Sequence, residues 1–278
     1  MSARQRPGLA GKTVVMSGGS RGIGLAIALR AAADGAQVVL IARTDSPHPR
    51  LQGTIHTAAE AIRAAGGTVL PVVGDIRSDA TIEAAVAAAV ATFGGIDVCI
   101  NSASVLDLSP TDEVRPKSYD LMQDVNVRGT FMLSRACLPY LCRAANPHIL
   151  SLSPPLNLSR RWLAAHPAYT VAKYAMTLTT LALAAENAAD GIAANCLWPQ
   201  TLIATDAVAN VIGGDGAIRR SRQPAIMADA AYEVITGPGI RRTGQTLLDE
   251  GVLREAGVTD FAAYAVCGDE VETDLFLD

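Results

Sequence analysis

KTVVMSGGSRGIG, residues 12–24, decides how the rest of the chain is read. A short apolar run ends at Ser17-Gly18-Gly19-Ser20-Arg21, and Gly22-Ile23-Gly24 follows where a helix would open. Gly18 and Gly22 would permit a tight turn and close approach of the backbone to a pyrophosphate. Gly24 would let the helix pack closely on its strand, and the first helical amides and the helix dipole would face the phosphates. A phosphate-binding P-loop is excluded, because no Gly-Lys-Ser/Thr follows.

Working outward from this stretch, apolar β-rich runs alternate with alanine-rich helical ones. Residues 12–16, 36–42, 67–73, 96–101, 147–153, 192–198 and 244–250 read as strands. The spacing between them predicts helices over 22–34, 54–65, 78–93, 117–144, 168–189 and near 226–236. Strands that are apolar throughout suit a parallel sheet buried on both faces. Strict β-α alternation predicts an α/β fold with a doubly wound parallel sheet of seven strands, the Rossmann arrangement. No composition break divides the chain, so one domain is expected, with a core over 11–250 and a tail over 251–278.

The chain has 278 residues, half of them hydrophobic, and a formal net charge of −4. That balance lacks the positive excess needed against a phosphate backbone, so nucleic acid is not an expected partner. No run approaches the ~20 apolar residues that span a bilayer, and Gly18 is reached before any signal-type apolar core, so membrane insertion is not expected and a cytoplasmic location is. The five cysteines form no CxxC pair, and His48, His56, His148 and His166 are scattered without ligand spacing; no metal site is expected.

The chemistry concentrates in few residues. About 20 residues past the glycines a dinucleotide fold places an acid for a ribose hydroxyl or a base for a 2′-phosphate. Arg43 stands there, Arg21 lies in the glycine loop, and the pair favours NADP(H) over NAD(H), although Asp45 could serve a ribose. Of 23 basic residues only Lys12, Lys117 and Lys173 are lysines. Tyr169 and Lys173 are four apart at the start of a helix and so share a face. A neighbouring ammonium would lower the phenol's pKa toward working pH, making Tyr169 an acid/base for a substrate oxygen.

Together these segments resemble the short-chain dehydrogenase/reductase family over nearly the whole chain. Ser17 to Gly24 is similar to its cofactor turn, Asp75 and Ile76 in VVGDI to the residues beside the adenine, and Asn101 to Ser104, including Ala103, to its NNAG segment. Tyr169 and Lys173 match its active-site pair, Asn126 its relay asparagine, and Pro199 its proline beside the nicotinamide. Within the family, runs such as LSLSPPLNL, AYTVAKY and the ending DLFLD resemble the hydroxysteroid dehydrogenase-like protein 2 group, whose longer members carry a sterol-carrier module not found here. The resemblance implies an oxidoreductase that interconverts a carbonyl and a secondary alcohol on a small hydrophobic substrate. It also implies that Lys173 holds the nicotinamide ribose, and that the chain forms a homo-oligomer, dimer or tetramer. A cofactor-binding scaffold that turns over weakly is the alternative class.

Two departures bear on catalysis. Pro154 stands where the family's carbonyl-orienting serine belongs, and Gln200 where a glycine follows Pro199. Ser153, ending its strand, is expected to supply the missing hydroxyl, with Asn157 and Ser159 as rival donors. Residues 156–165, with Trp162, and 202–227, with the glycines of 213–216, are expected to wall the substrate pocket.

Overall fold

The structure, a computed structural model, describes residues 8–47, 52–268 and 270–278; His48 lies outside them. Seven strands are formed: β1 (Thr13–Ser17), β2 (Gln37–Ala42), β3 (Thr68–Val73), β4 (Val98–Asn101), β5 (His148–Ser151), β6 (Ala193–Trp198) and β7 (Thr246–Leu248). They make one sheet in the order β3-β2-β1-β4-β5-β6-β7, with every neighbouring pair parallel. The order reverses between β1 and β4, and the crevice at their carboxyl ends is where such a sheet takes its ligand.

Both faces of the sheet are covered, which explains the unbroken apolar strands. Val14, Met16, Val38 and Leu40 pack toward α1 (Gly22–Ala33), α2 (Ile55–Ala64), α9 (Ala225–Thr236) and α10 (Asp249–Glu255). Their neighbours Val15, Val39 and Ile41 pack toward α3 (Asp79–Phe93), α5 (Gly129–Leu141) and α7 (Pro167–Glu186). Alternate residues of one strand thus feed two separate cores. Local signals set the helix ends: Thr54 and Thr57 form a reciprocal cap at the start of α2, Ser78 caps α3, and Gly94 at φ +86° ends α3.

Three expectations are corrected. The helix expected over 117–144 is α4 (Pro116–Met122), a π-helical turn (Gln123–Arg128) and α5, because the Asn126 side chain inside the turn is drawn to the backbone of Val105. The strand expected over 244–250 stops at Leu248. Asp249 and Glu250 instead open α10, where their charges favour a helix N-terminus. Two short helices, α6 (Arg160–Ala165) and α8 (Gly214–Arg219), occupy segments read as pocket wall. Among the described residues no helix is long and apolar enough to cross a membrane.

Candidate active site

A cavity of ≈ 540 Å³ runs along the carboxyl ends of β1 to β6, within the size range of small-molecule sites. At one end lies the glycine loop. Gly18 has φ +75°, and a Cβ on it would stand 2.4 Å from the Ala103 nitrogen. A Cβ on Gly24 would stand 2.4 Å from the Gly18 carbonyl oxygen. Backbone is therefore pressed against backbone beneath the loop, and no side chain caps the first amides of α1. This is a cradle that fits a pyrophosphate.

The far side of this end carries charge. Arg21 donates to Thr44 Oγ1 (2.9 Å) and to the carbonyls of Gln52 (3.1 Å) and Gly53 (3.2 Å), which fixes its guanidinium at the end of β2. Arg43 is about half exposed and lies 3.6 Å from Asp75. Hydrogen bonds from Arg77 hold the Asp75 carboxyl below its ordinary value. Asp45 is occupied by His56 at 2.6 Å and is not among the described residues that line the cavity.

At the other end α7 presents Tyr169 and Lys173, both buried and both on the cavity wall. Lys173 Nζ donates to the Leu152 carbonyl (2.7 Å) and sits 5.0 Å over the Trp198 ring. Burial pulls its ammonium down to about 7, against the attraction of Asp274. Burial also pushes the Tyr169 phenol well above its ordinary value; Asp274 adds to this and a hydrogen bond with Ser104 opposes it. The expected lowering of the phenol by Lys173 is not seen, because desolvation dominates and the ammonium is engaged at Leu152. Tyr169 is held in its protonated form.

Of the residues singled out in the sequence, Gly18, Ser20, Arg21, Gly22, Ile23, Gly24, Arg43, Asp75, Ile76, Ala103, Tyr169, Lys173 and Pro199 line this cavity. Ser17, Asn101, Asn126 and Ser153 stand behind the wall. Ser17 Oγ accepts from the Ala103 amide (3.3 Å), and Asn101 donates to Ser134 (3.0 Å) and Ser151 (3.3 Å). Asn126 bonds both backbone groups of Val105 at 2.8 Å, so it acts on the site through a residue that lines it. Ser153 lies two residues beyond β5, fully buried beside Cys196, and it is not among the described residues that line the cavity. The expectation that it aims into the site is corrected.

Of the two expected walls, 202–227 lines the cavity and 156–165 is corrected. Among the described lining residues none belongs to 156–165; Trp162 is buried beneath Phe276. The second segment contributes Ile203, Thr205, Val208 and Met227, but not its glycines. Sequence reasoning missed Leu152, Trp198 and, from the tail, Asp274 and Leu275. The apolar residues of DLFLD were the available signal.

The model of the short chain dehydrogenase family matches residues 12–213. Hydroxysteroid dehydrogenase-like protein 2 of Danio rerio is 48% identical over 97% of this chain, which spans 65% of that relative's length. A solved structure from Xanthomonas campestris superposes with a TM-score of 0.94 at 50% identity, over 98% of this chain and 100% of that one. A short chain dehydrogenase of Mycobacterium thermoresistibile does so at 0.92 and 53% identity, over 97% of this chain and 96% of its own.

Proposed function

The chain belongs to the short-chain dehydrogenase family, and from that premise we propose that it is an NADP(H)-dependent oxidoreductase interconverting a carbonyl and a secondary alcohol on a hydrophobic substrate. One observation carries the reading: a single cavity holds a glycine cradle and two arginines at one end and the Tyr169–Lys173 pair at the other. A nicotinamide dinucleotide supplies or accepts the hydride when bound. The chain's own residues do the rest. Gly18 to Gly24 take the pyrophosphate, Asp75 and Ile76 border the adenosine, and Tyr169 gives a proton to the substrate oxygen or removes one. Leu152, Trp198, Ile203, Val208, Met227 and Leu275 line the cavity, which supports an apolar substrate. A turnover screen across ketones with NADPH and secondary alcohols with NADP⁺ tests the reading. Tight cofactor binding without turnover would instead support the scaffold alternative, which the proline at 154 favours.

Preference for NADPH is attributed to Arg43 and Arg21, with Asp45 turned to His56. Hydrogen bonds to a charged group contribute roughly 1.5–3 kcal/mol, about ten- to a hundred-fold in affinity. Arg43→Asp is expected to lose most of that preference in fluorescence titrations. Equal dissociation constants for NADPH and NADH in the unmutated protein would remove the basis for it.

A homo-oligomer is also proposed. Phe131 on α5 and Val171 and Leu178 on α7 leave apolar side chains 47%, 54% and 56% exposed, on the two helices through which the family commonly pairs. Light scattering at micromolar concentration is expected to report a dimer or tetramer; a monomer would reject the proposal.

A further inference from the structure

The C-terminal segment carries a carboxyl group into the reactive end of the cavity and is pinned on both sides of it. The Asp274 amide donates to the Gln200 carbonyl (3.2 Å), Leu202 N to Glu272 O (2.9 Å) and Trp198 Nε1 to Leu275 O (3.0 Å). Phe276, at φ +70°, buries its ring among Trp162, Tyr169, Tyr174 and Trp198, with centroids 5.3–6.0 Å away. Asp278 is held by Asn157 (2.9 Å) and Trp162 (3.2 Å). Asp274 has no freedom to leave the wall unless these contacts break.

The other acids of the wall, Asp75 and Asp206, stand at the arginine end, where Asp206 accepts from Gln52 (3.0 Å) beside Arg21. Asp274 is the acid beside Tyr169 and Lys173. Its Oδ1 accepts from the Leu275 amide (2.7 Å), and among the described residues nothing donates to Oδ2. The backbone position from which a serine would orient the substrate is Pro154, whose carbonyl accepts from Thr177 (2.7 Å). We infer that Asp274 takes that part, its carboxyl donating a hydrogen bond to the reacting oxygen of the substrate and holding it for proton transfer from Tyr169. This rests on the oxidoreductase reading above.

A carboxyl donates only while protonated, and this one keeps its proton to higher pH than an ordinary aspartate does. Burial pushes it up to about 7. Asp249 at the start of α10 and Glu272 on its own segment add to the rise, while the Leu275 amide and Lys173 on α7 oppose it. Tyr169, the other titratable group facing it, stays neutral through this range. Carbonyl reduction is therefore expected to weaken as pH rises through about 7, where Asp274 loses its proton.

The test compares the full-length wild type, Asp274→Asn and Asp274→Leu on the ketone with the highest turnover in the screen, with NADPH titration and melting run alongside. Asp274→Asn still offers an oxygen to the Leu275 amide and should not lower the melting temperature, whereas Asp274→Leu leaves that amide without its acceptor and should melt slightly lower. Asp274→Leu is expected to lose roughly 10²- to 10³-fold in kcat, the effect of removing one donor to a developing charge, with NADPH binding unchanged. Asp274→Asn keeps a donor at every pH, so it should retain most of the rate, and its rate relative to the wild type should rise with pH through about 7, since Lys173 is common to both. An active wild type matched by Asp274→Leu, or a ratio of Asp274→Asn to wild-type rate that does not change with pH, overturns this inference alone. A wild type that binds NADPH but reduces nothing overturns the oxidoreductase reading and this inference with it.

Discussion

Tyr169→Phe is expected to abolish turnover while leaving NADPH affinity and melting temperature unchanged. The ring stays packed against Phe276, 5.9 Å away, and only the hydroxyl shared with Ser104 is lost. General acid–base catalysis by one placed group is worth roughly 10²- to 10⁴-fold, and phenylalanine keeps the ring without the proton. Lys173→Arg should be as damaging to the rate and worse for the fold. The ammonium fits between the Leu152 carbonyl and the Trp198 ring and can shed its proton near pH 7, whereas a guanidinium is bulkier and permanently charged. Lys173→Met separates the two effects. In the unfolded chain the lysine titrates near 10.5, so between about 7 and 10 the unfolded state binds the extra proton and wild-type stability gains with pH. Lys173→Met should remove that gain from denaturant midpoints while remaining inactive. Near-normal turnover in Tyr169→Phe, or in Lys173→Arg, would return the pair to an incidental buried contact.

Much of this was readable from local pattern, and the reasons are physical. A strand buried on both faces must be apolar at every position, so KTVVM and AQVVLIA announce a doubly covered sheet without reference to anything distant. Tyr169 and Lys173 meet because helical geometry brings residues four apart onto one face. The sequence contains Ser153 but not the direction of its hydroxyl. The strand stops at Ser151, whose hydroxyl accepts from Asn101 and Thr180 inside the core, and the turn that follows leaves Ser153 buried behind the wall. Asn126 is a different failure. Its amide could be assigned to the site by resemblance, but its grip on Val105 depends on a π-helical turn that no period reveals. Asp274 was least legible of all. It reaches Tyr169 and Lys173 across roughly a hundred residues of chain, and only folding of the tail over β6 brings them together.

Gly18→Ala is expected to have the largest effect on the fold and to take cofactor binding with it. Two costs act at once. The backbone there has φ +75°, where a Cβ is penalised by roughly 1–2 kcal/mol, and the added methyl would stand 2.4 Å from the Ala103 nitrogen and 2.7 Å from the Ser102 carbonyl carbon. Those are backbone atoms of the loop leaving β4, so neither can rotate aside. Overpacking of that kind costs about 1–3 kcal/mol more, if the loop yields at all. Gly11 supplies the control. It has nearly the same backbone conformation, φ +70°, with nothing within 4 Å of an added Cβ, so Gly11→Ala carries the first cost without the second. Each kcal/mol shifts the melting temperature by roughly 2–4 °C in a chain approaching this size. Gly18→Ala should therefore melt several degrees below Gly11→Ala, and NADPH titration should show weakened binding only in Gly18→Ala, because the same displacement moves the amides of the cradle. Equal melting temperatures for the two variants would mean that the loop after β4 is free to move and that Gly18 is required for its dihedral angle alone.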